Sequence, residues 1–333
     1  MIFFANDPEY KRLWGELTHG HALLHPFYLP GHLEYAREYF GTPDGWEDLS
    51  LVITEEGRPV LGVIWSLPVG GTELSAFGRP VVCVEGAGAT SGQLQRAHLV
   101  LKRELERLTS ERGVTGLRHV DPLPDGNLTR FGEHLLDLGA RAVPFFSSIV
   151  DLTRGQAALW GEVRKSYKSL ISWGRKNLVI RTEFDEALFA SFQALHLREA
   201  GRQTRSPRSW ELQAAMMRAG EAFMVTGELE GELVSAALFI YNASLCYYGV
   251  SAARRDLFDK PLSHAILWTA IEQAGRLGCC AFEMGEQLYP NQGDPRPDQK
   301  NLNIAKFKRG FGGQTRLMLA IDWRVTEEAR ENA

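Results

Sequence analysis

The stretch Ala222–Leu277 limits the fold more than any other part of this 333-residue chain. Three apolar runs, Ala222–Leu229, Leu233–Tyr241 and Leu245–Val250, are separated by Glu230-Gly231-Glu232 and by Asn242-Ala243. Connections this short join only antiparallel strands, so the region reads as a three-strand meander. A polar loop follows, and then an amphipathic helix from Ser263 to Leu277. The first half carries the same order: strands at Leu51–Thr54, Val60–Leu67 and Val81–Val84, a Gly-rich turn from Glu85 to Gly92, a helix from Gln93 to Arg112 and a strand Gly116–Val120. A helix near Leu128–Leu138 then leads to a strand Phe145–Leu152. The halves share an element order without obvious sequence identity. The expected fold is α+β (α/β) in two similar domains, 1–152 and 153–333, joined near Asp151–Trp160.

The joint opens into LWGEVRKSYKSLISWGRKNLVIR, residues 159–181. At helical spacing Val163, Tyr167, Leu170, Ile171, Gly174 and Leu178 form one apolar stripe. Arg164, Lys168 and Arg175 flank it, with Lys165 and Lys176 further out. A helix that buries one face and aligns cations on the next suits phosphate or another anion. An ordinary solvated amphipathic helix is the plainer alternative. The net charge of −4 conceals an asymmetry, with −6 on residues 1–150 and +2 on residues 151–333. An anion-handling surface is therefore expected from the second half. This balance is not that of a dedicated nucleic-acid binder, whose domain is basic throughout.

No apolar run reaches the roughly 20 residues needed to cross a bilayer. The start, MIFFANDPEYKR, lacks the basic flank and apolar run of a signal peptide. A soluble, cytoplasmic protein without membrane insertion is expected. Cys83, Cys246, Cys279 and Cys280 have neither metal nor redox spacing and read as reduced thiols, so no metal is expected.

Two further constellations carry chemistry. The loop after the meander places Arg254, Arg255 and Lys260 just before a helix N-terminus, where exposed N–H groups and the helix dipole favour phosphate. Ser263 fits the N-cap and Pro261 pre-sets the approach; a routinely capped helix after a polar loop is the alternative. Near the C-terminus, Phe282-Glu283-Met284-Gly285-Glu286 ends a strand, and Lys306, Lys308 and Arg309 follow among glycines. A partly desolvated carboxylate at a strand end can serve as general base. A structural ion pair explains carboxylates beside cations equally well.

The basic helix, the meander-loop-helix and the ending FEMGE…KFKRGFGG together resemble the Fem-type branch of the GNAT acyltransferase superfamily. The resemblance implies two GNAT-like domains, each a mixed, mostly antiparallel sheet flanked by helices. Fem-type enzymes add amino acids to peptidoglycan precursors, whereas related enzymes use acyl-CoA to acylate amino groups on nucleotide-linked sugars. In some aminoacyl-transferring members a lysine contacts the reacting centre, and Lys308 best matches it. The donor is expected along a splayed or bulged strand, Tyr247–Ser251, with Tyr248 and Val250, and at the loop through Arg254, Arg255, Lys260, Leu262 and Ser263. That loop departs from the superfamily's Arg/Gln-x-x-Gly-x-Gly/Ala turn, because no glycine lies between Arg255 and His264.

Glu283 is the first candidate base, with Glu286 and His264 behind it. Lys168 and Arg175 are placed to hold a pyrophosphate, and Trp173, Tyr248 and Tyr289 to pack on sugar or base. The leading expectation is an acyl-CoA-dependent N-acyltransferase acting on a nucleotide-linked amino sugar of surface polysaccharide. The alternative is a Fem-type transferase using charged tRNA and a peptidoglycan precursor or peptide. The absence of a long heptad-patterned arm and the modest charge favour coenzyme A. A non-catalytic binding module with the same fold ranks last. No permanently bound cofactor is expected, and the chain reads as a monomer or homodimer.

Overall fold

The computed structural model describes residues 1–21, 24–292 and 295–325. Its chain divides into two compact units that trade segments. Unit 1 holds Met1–Leu24, Ala36–Phe145 and the chain from Met318; unit 2 holds His25–Tyr35 and Phe146–Leu317. The single junction expected near Asp151–Trp160, with domains 1–152 and 153–333, gives way to four crossings. Apolar burial is the reason. Tyr35 packs with Phe192, Trp210 and Met216 of unit 2, and Ile321 and Trp323 of the last strand, Gln314–Arg324, join the core of unit 1.

In unit 1, strands Ile2–Phe4, Leu51–Glu55, Arg58–Ile64 and Val82–Glu85 form an antiparallel sheet. Helix Ser91–Arg112 buries Leu101, Leu105 and Leu108 among Leu61, Val63 and Trp65. Strand Gly116–Asp121 pairs antiparallel with Leu319–Arg324 of the last strand.

In unit 2, the strand Val179–Arg181 leads into the expected meander, Ala222–Leu229, Glu232–Tyr241 and Leu245–Ala253. Glu230 and Gly231, both at positive φ, close its first hairpin, the backbone geometry that a tight two-residue turn requires. Strand Ala281–Glu286 joins parallel to the third meander strand and antiparallel to residues Ser147–Asp151. Helices cover both faces. Lys165–Asn177 and Leu262–Arg276 bury Tyr167, Ile171 and Trp268 against Phe239, Phe282 and Met284. Glu186–Ala200 and Pro207–Arg218 bury Phe192 and Trp210 against Met224 and Leu238. Because strand side chains alternate faces, Tyr248 turns to the first layer and Tyr247 to the second.

The basic segment keeps its stripe but not its length. It breaks at Val163 and Arg164 into helices Gln156–Glu162 and Lys165–Asn177. At the break, Arg164 N–H donates to the Gly310 carbonyl at 2.9 Å. Tyr167 lies against Gly310 so closely that a Cβ there would fall 2.0 Å from its ring. The helix after the meander also differs from expectation. It begins at Leu262, directly after Pro261, and no side chain caps it. Ser263 is therefore inside the first turn rather than its N-cap. Leu262 is buried with Leu178 and Val234, which draws the helix start upstream. A further helix, Gln299–Lys308, is capped by Asp298, whose Oδ1 accepts from Asn301 N–H at 2.7 Å. Among the described residues, no helix is long and apolar enough to cross a membrane.

Candidate active site

The third meander strand and its parallel neighbour pair only through Leu245–Tyr247 and Ala281–Glu283, and beyond those residues they part. Each carries a bulge beside the opening. The register slips between Leu238 and Phe239, leaving Gly249 as the extra residue of the third strand. A Cβ at 249 would stand 3.0 Å from the Leu238 carbonyl oxygen, so the close backbone approach selects glycine. A second slip between Glu283 and Gly285 leaves Met284 unpaired in the count, and Gly285 turns to φ +87°. Bulges release backbone groups from the ladder and re-aim side chains.

Side chains from five separate chain segments converge at this opening. Glu283 is 9% exposed. Ser147 donates its hydroxyl hydrogen to Glu283 Oε1 at 2.7 Å, and His25 Nε2 lies 3.4 Å from Oε2. Phe27 N–H donates to His25 Nδ1 at 3.1 Å, which places the hydrogen of the neutral ring on Nε2, toward the carboxylate. The Tyr247 ring meets His25 and Phe27 edge-on, with centroids 5.3 and 4.7 Å apart. Lys308 Nζ and Tyr247 Oη stand 3.0 and 3.5 Å from the point a Cβ on Gly285 would occupy. The missing side chain at 285 is the slot that admits the lysine.

Burial pulls the Glu283 carboxyl upward, but the contact with His25, the Ser147 hydroxyl and the charge of Lys308 outweigh it. The net value lies below that of an ordinary glutamate. Burial pulls the Lys308 ammonium below the usual lysine value, and the charges of Glu283 and Glu286 offset only part of that shift. The site thus holds an ionised carboxylate beside a lysine whose charge is partly desolvated.

Of the residues singled out from sequence, Glu283 and Lys308 come together here, and Glu286 stands exposed at the same strand end. Tyr248 turns away: its ring stacks on Phe239 and its hydroxyl donates to Ser251 Oγ at 2.7 Å. Val250, next to the Gly249 bulge, is buried in the second layer. His264 is enclosed by Tyr167, Phe307 and Phe311, and burial lowers its pKa against a backbone hydrogen bond at Pro261. Arg254 pairs with Glu232 and Asp256, Lys260 with Asp259, and Arg255 donates its backbone N–H to Glu199. Arg175 is held by both oxygens of Glu272 at 2.6 Å, Lys168 lies over the Trp160 ring, and Trp173 packs beside Leu178 and Leu262. These last three sit on the helix layer opposite Tyr247. Tyr289, 38% exposed, lines an open groove of about 550 Å³ with Phe146, Pro290, Asn291, Gln292 and Thr315. His25, Ser147 and the bulge at Met284 escaped the sequence reading, whereas Tyr247 and Gly249 lie inside the strand Tyr247–Ser251 expected to be splayed or bulged.

No protein-family model matches the chain, and no curated protein matches its sequence. Solved structures do resemble it. FemX superposes with a TM-score of 0.62 at 13% identity, over 90% of this chain and 97% of that one. A tandem GNAT protein from the clavulanic acid biosynthesis pathway, solved without AcCoA, superposes at 0.54 and 16% identity, covering 97% of each chain. The chain has the tandem GNAT fold. L-PGS from Bacillus licheniformis shares it at 0.58 and 14% identity, over 90% of this chain and 94% of that one. The splayed, bulged strand expected of a GNAT domain is Leu245–Ala253 in unit 2, with Gly249 as its bulge.

Proposed function

We propose that the protein is an N-acyltransferase whose donor carbonyl enters the opening between Leu245–Ala253 and Ala281–Glu286. The observation that carries this reading is the Gly249 bulge at the point where the two strands part. A backbone N–H released there can donate to the oxyanion of a tetrahedral intermediate, a contribution worth about 10²–10³ in rate. The amine nitrogen bonds to the acyl carbon, the oxyanion forms, and its collapse breaks the carbon–sulfur bond to release thiolate. Once bonded to the acyl carbon, the nitrogen is a far stronger acid than a free ammonium. Glu283, ionised beside the opening, can accept that proton transiently and pass it to the departing thiolate. Lys308 offsets the negative charge developing beside it.

The donor we infer is acyl-CoA, its phosphates received at Arg254, Arg255 and Lys260. The carboxylates paired with Arg254 and Lys260 are exposed, and such pairs are worth only about 0–1 kcal/mol each, so phosphate can displace them. The acceptor is an amino group, with a nucleotide-linked amino sugar as the leading candidate. Tyr289 and its groove offer an aromatic surface with amide and hydroxyl neighbours for a sugar ring. The alternative is an aminoacyl group delivered by charged tRNA to a peptidoglycan precursor or peptide. The fold likeness to FemX over nine-tenths of the chain favours keeping it. Calorimetric titration with acetyl-CoA and free coenzyme A tests the donor. Saturable binding is expected, and its absence would move charged tRNA to first place.

A further inference from the structure

The segment His25–Tyr35 is separated in sequence from the rest of unit 2 by more than one hundred residues, yet it belongs to that unit. It is fixed there by Tyr35 within the second hydrophobic layer, by Phe27 packed against the same layer, and by Gly31 N–H, which donates to Glu221 at 2.9 Å. Its first residue faces Glu283. We propose that His25 is a positioning residue: its Nε2–H holds the Glu283 carboxylate toward the strand opening while its Nδ1 anchors the segment through Phe27 N–H. This deepens the acyl-transfer reading and rests on it.

The two ring nitrogens have separable duties. Nδ1 caps the short Pro26–Tyr28 helical turn, and Nε2 alone reaches the carboxylate. Glu283 Oε1 is occupied by Ser147, so the His25 contact decides where Oε2 points. With Nδ1 engaged by a backbone donor, the neutral ring has no lone pair left for substrate. His25 therefore acts through Glu283 rather than on the amine.

Amide side chains separate the two duties. The amide of asparagine stands where Nδ1 does, so His25→Asn keeps the cap and loses the reach to Glu283. The amide nitrogen of glutamine stands where Nε2 does, so His25→Gln keeps the donor and loses the cap. Relative to His25→Ala, glutamine should recover most of the lost turnover. Asparagine should recover the melting temperature but leave kcat at least tenfold down, with the donor KM little changed. A second readout needs no turnover: an NMR titration of ¹³C-dimethylated Lys308, assigned by its loss in Lys308→Arg. Its midpoint should fall in the Asn and Ala variants, where the carboxylate is no longer held nearby, and return toward wild type in Gln. If asparagine restores turnover and the titration while glutamine restores neither, His25 is only a cap and the proposal is overturned. If the wild-type protein transfers no acyl group from any donor, the functional reading fails, and the Lys308 titration still decides the role of His25.

Discussion

Unit 1 and unit 2 each present an antiparallel meander whose last strand approaches a parallel neighbour, and they differ at that approach. In unit 1 the last two meander strands run in step, Leu61 to Glu85 through Ile64 to Val82, with no bulge. The parallel contact is a single bridge between Val81 and His119, and the His119 side chain itself bonds the Val81 carbonyl at 2.9 Å. Asp121 beyond it is consumed by Leu123 N–H and by the N–H and hydroxyl of Thr129. In unit 2 the corresponding strands are bulged and part after three paired residues, and polar side chains gather where they part. The turns before the helices differ in the opposite sense. The Gly-rich turn of unit 1 ends in a capping box that partners the N–H groups of Thr90 and Gln93. The loop of unit 2 has no glycine, yet the helix it opens has no side-chain cap. Glycine content alone thus says little about how a helix start is capped; in unit 2 the Leu262 and His264 N–H groups turn back to the Lys260 and Pro261 carbonyls.

The sharpest way to break this comparison is to remove each unit's constrained glycine. Gly249→Val would force the bulge flat against Leu238, and turnover should fall about 100-fold or more. A fall below threefold would detach the bulge from catalysis. Gly62→Ala in unit 1 would put a Cβ 2.6 Å from Leu17 and 2.9 Å from Trp14. It should cost about 1–3 kcal/mol of stability, visible as a lower Tm, with the kcat of folded protein intact. Glu283→Gln comes next, with turnover at least tenfold lower and donor affinity nearly unchanged; normal turnover would remove Glu283 from the chemistry. The same variant tests the charge state. Because the folded-state pKa of Glu283 is lowered, its ionised form adds stability above the ordinary glutamate value of about 4.3. That stability is lost as pH falls through the lower folded value. The Tm gap between wild type and Glu283→Gln should therefore narrow on acidification below about pH 4. The smallest effect belongs to Thr90→Ala, which should cost about 1 kcal/mol of helix capping and leave coenzyme A binding alone. Weakened binding would return the donor phosphates to the Gly-rich turn of unit 1.

The meander, its turns and the stripe on Lys165–Asn177 were legible because period and turn chemistry are local. Glu283 was legible as a carboxylate at a strand end, whereas Lys308 stood out from Lys306 and Arg309 only through the resemblance to the Fem-type ending. Tyr248 shows the limit of that reading. Its neighbour Tyr247 faces the site, and only the strand's facing, set by tertiary packing, separates the two. His25 was beyond reach for another reason: it is 258 positions from Glu283, and nothing local says which unit the Pro26–Pro30 segment will join. The aromatic run between those prolines was the available signal, since it buries too much apolar surface for an idle linker. The helix Gln299–Lys308 was masked by its polar sequence, although Asp298 was a readable cap.

The exchange of segments between the units also sets the order in which they can be completed during synthesis. Unit 1 waits for the strand Gln314–Arg324 to partner Gly116–Asp121. Unit 2 holds both His25 and Lys308, which are made 283 residues apart. At roughly 5–20 residues per second on the ribosome, about 200 residues separate the two partner strands by some 10–40 s. Through that interval Gly116–Asp121 is an open strand edge, and neither unit can close ahead of the other. A chain built this way finishes both halves nearly at once.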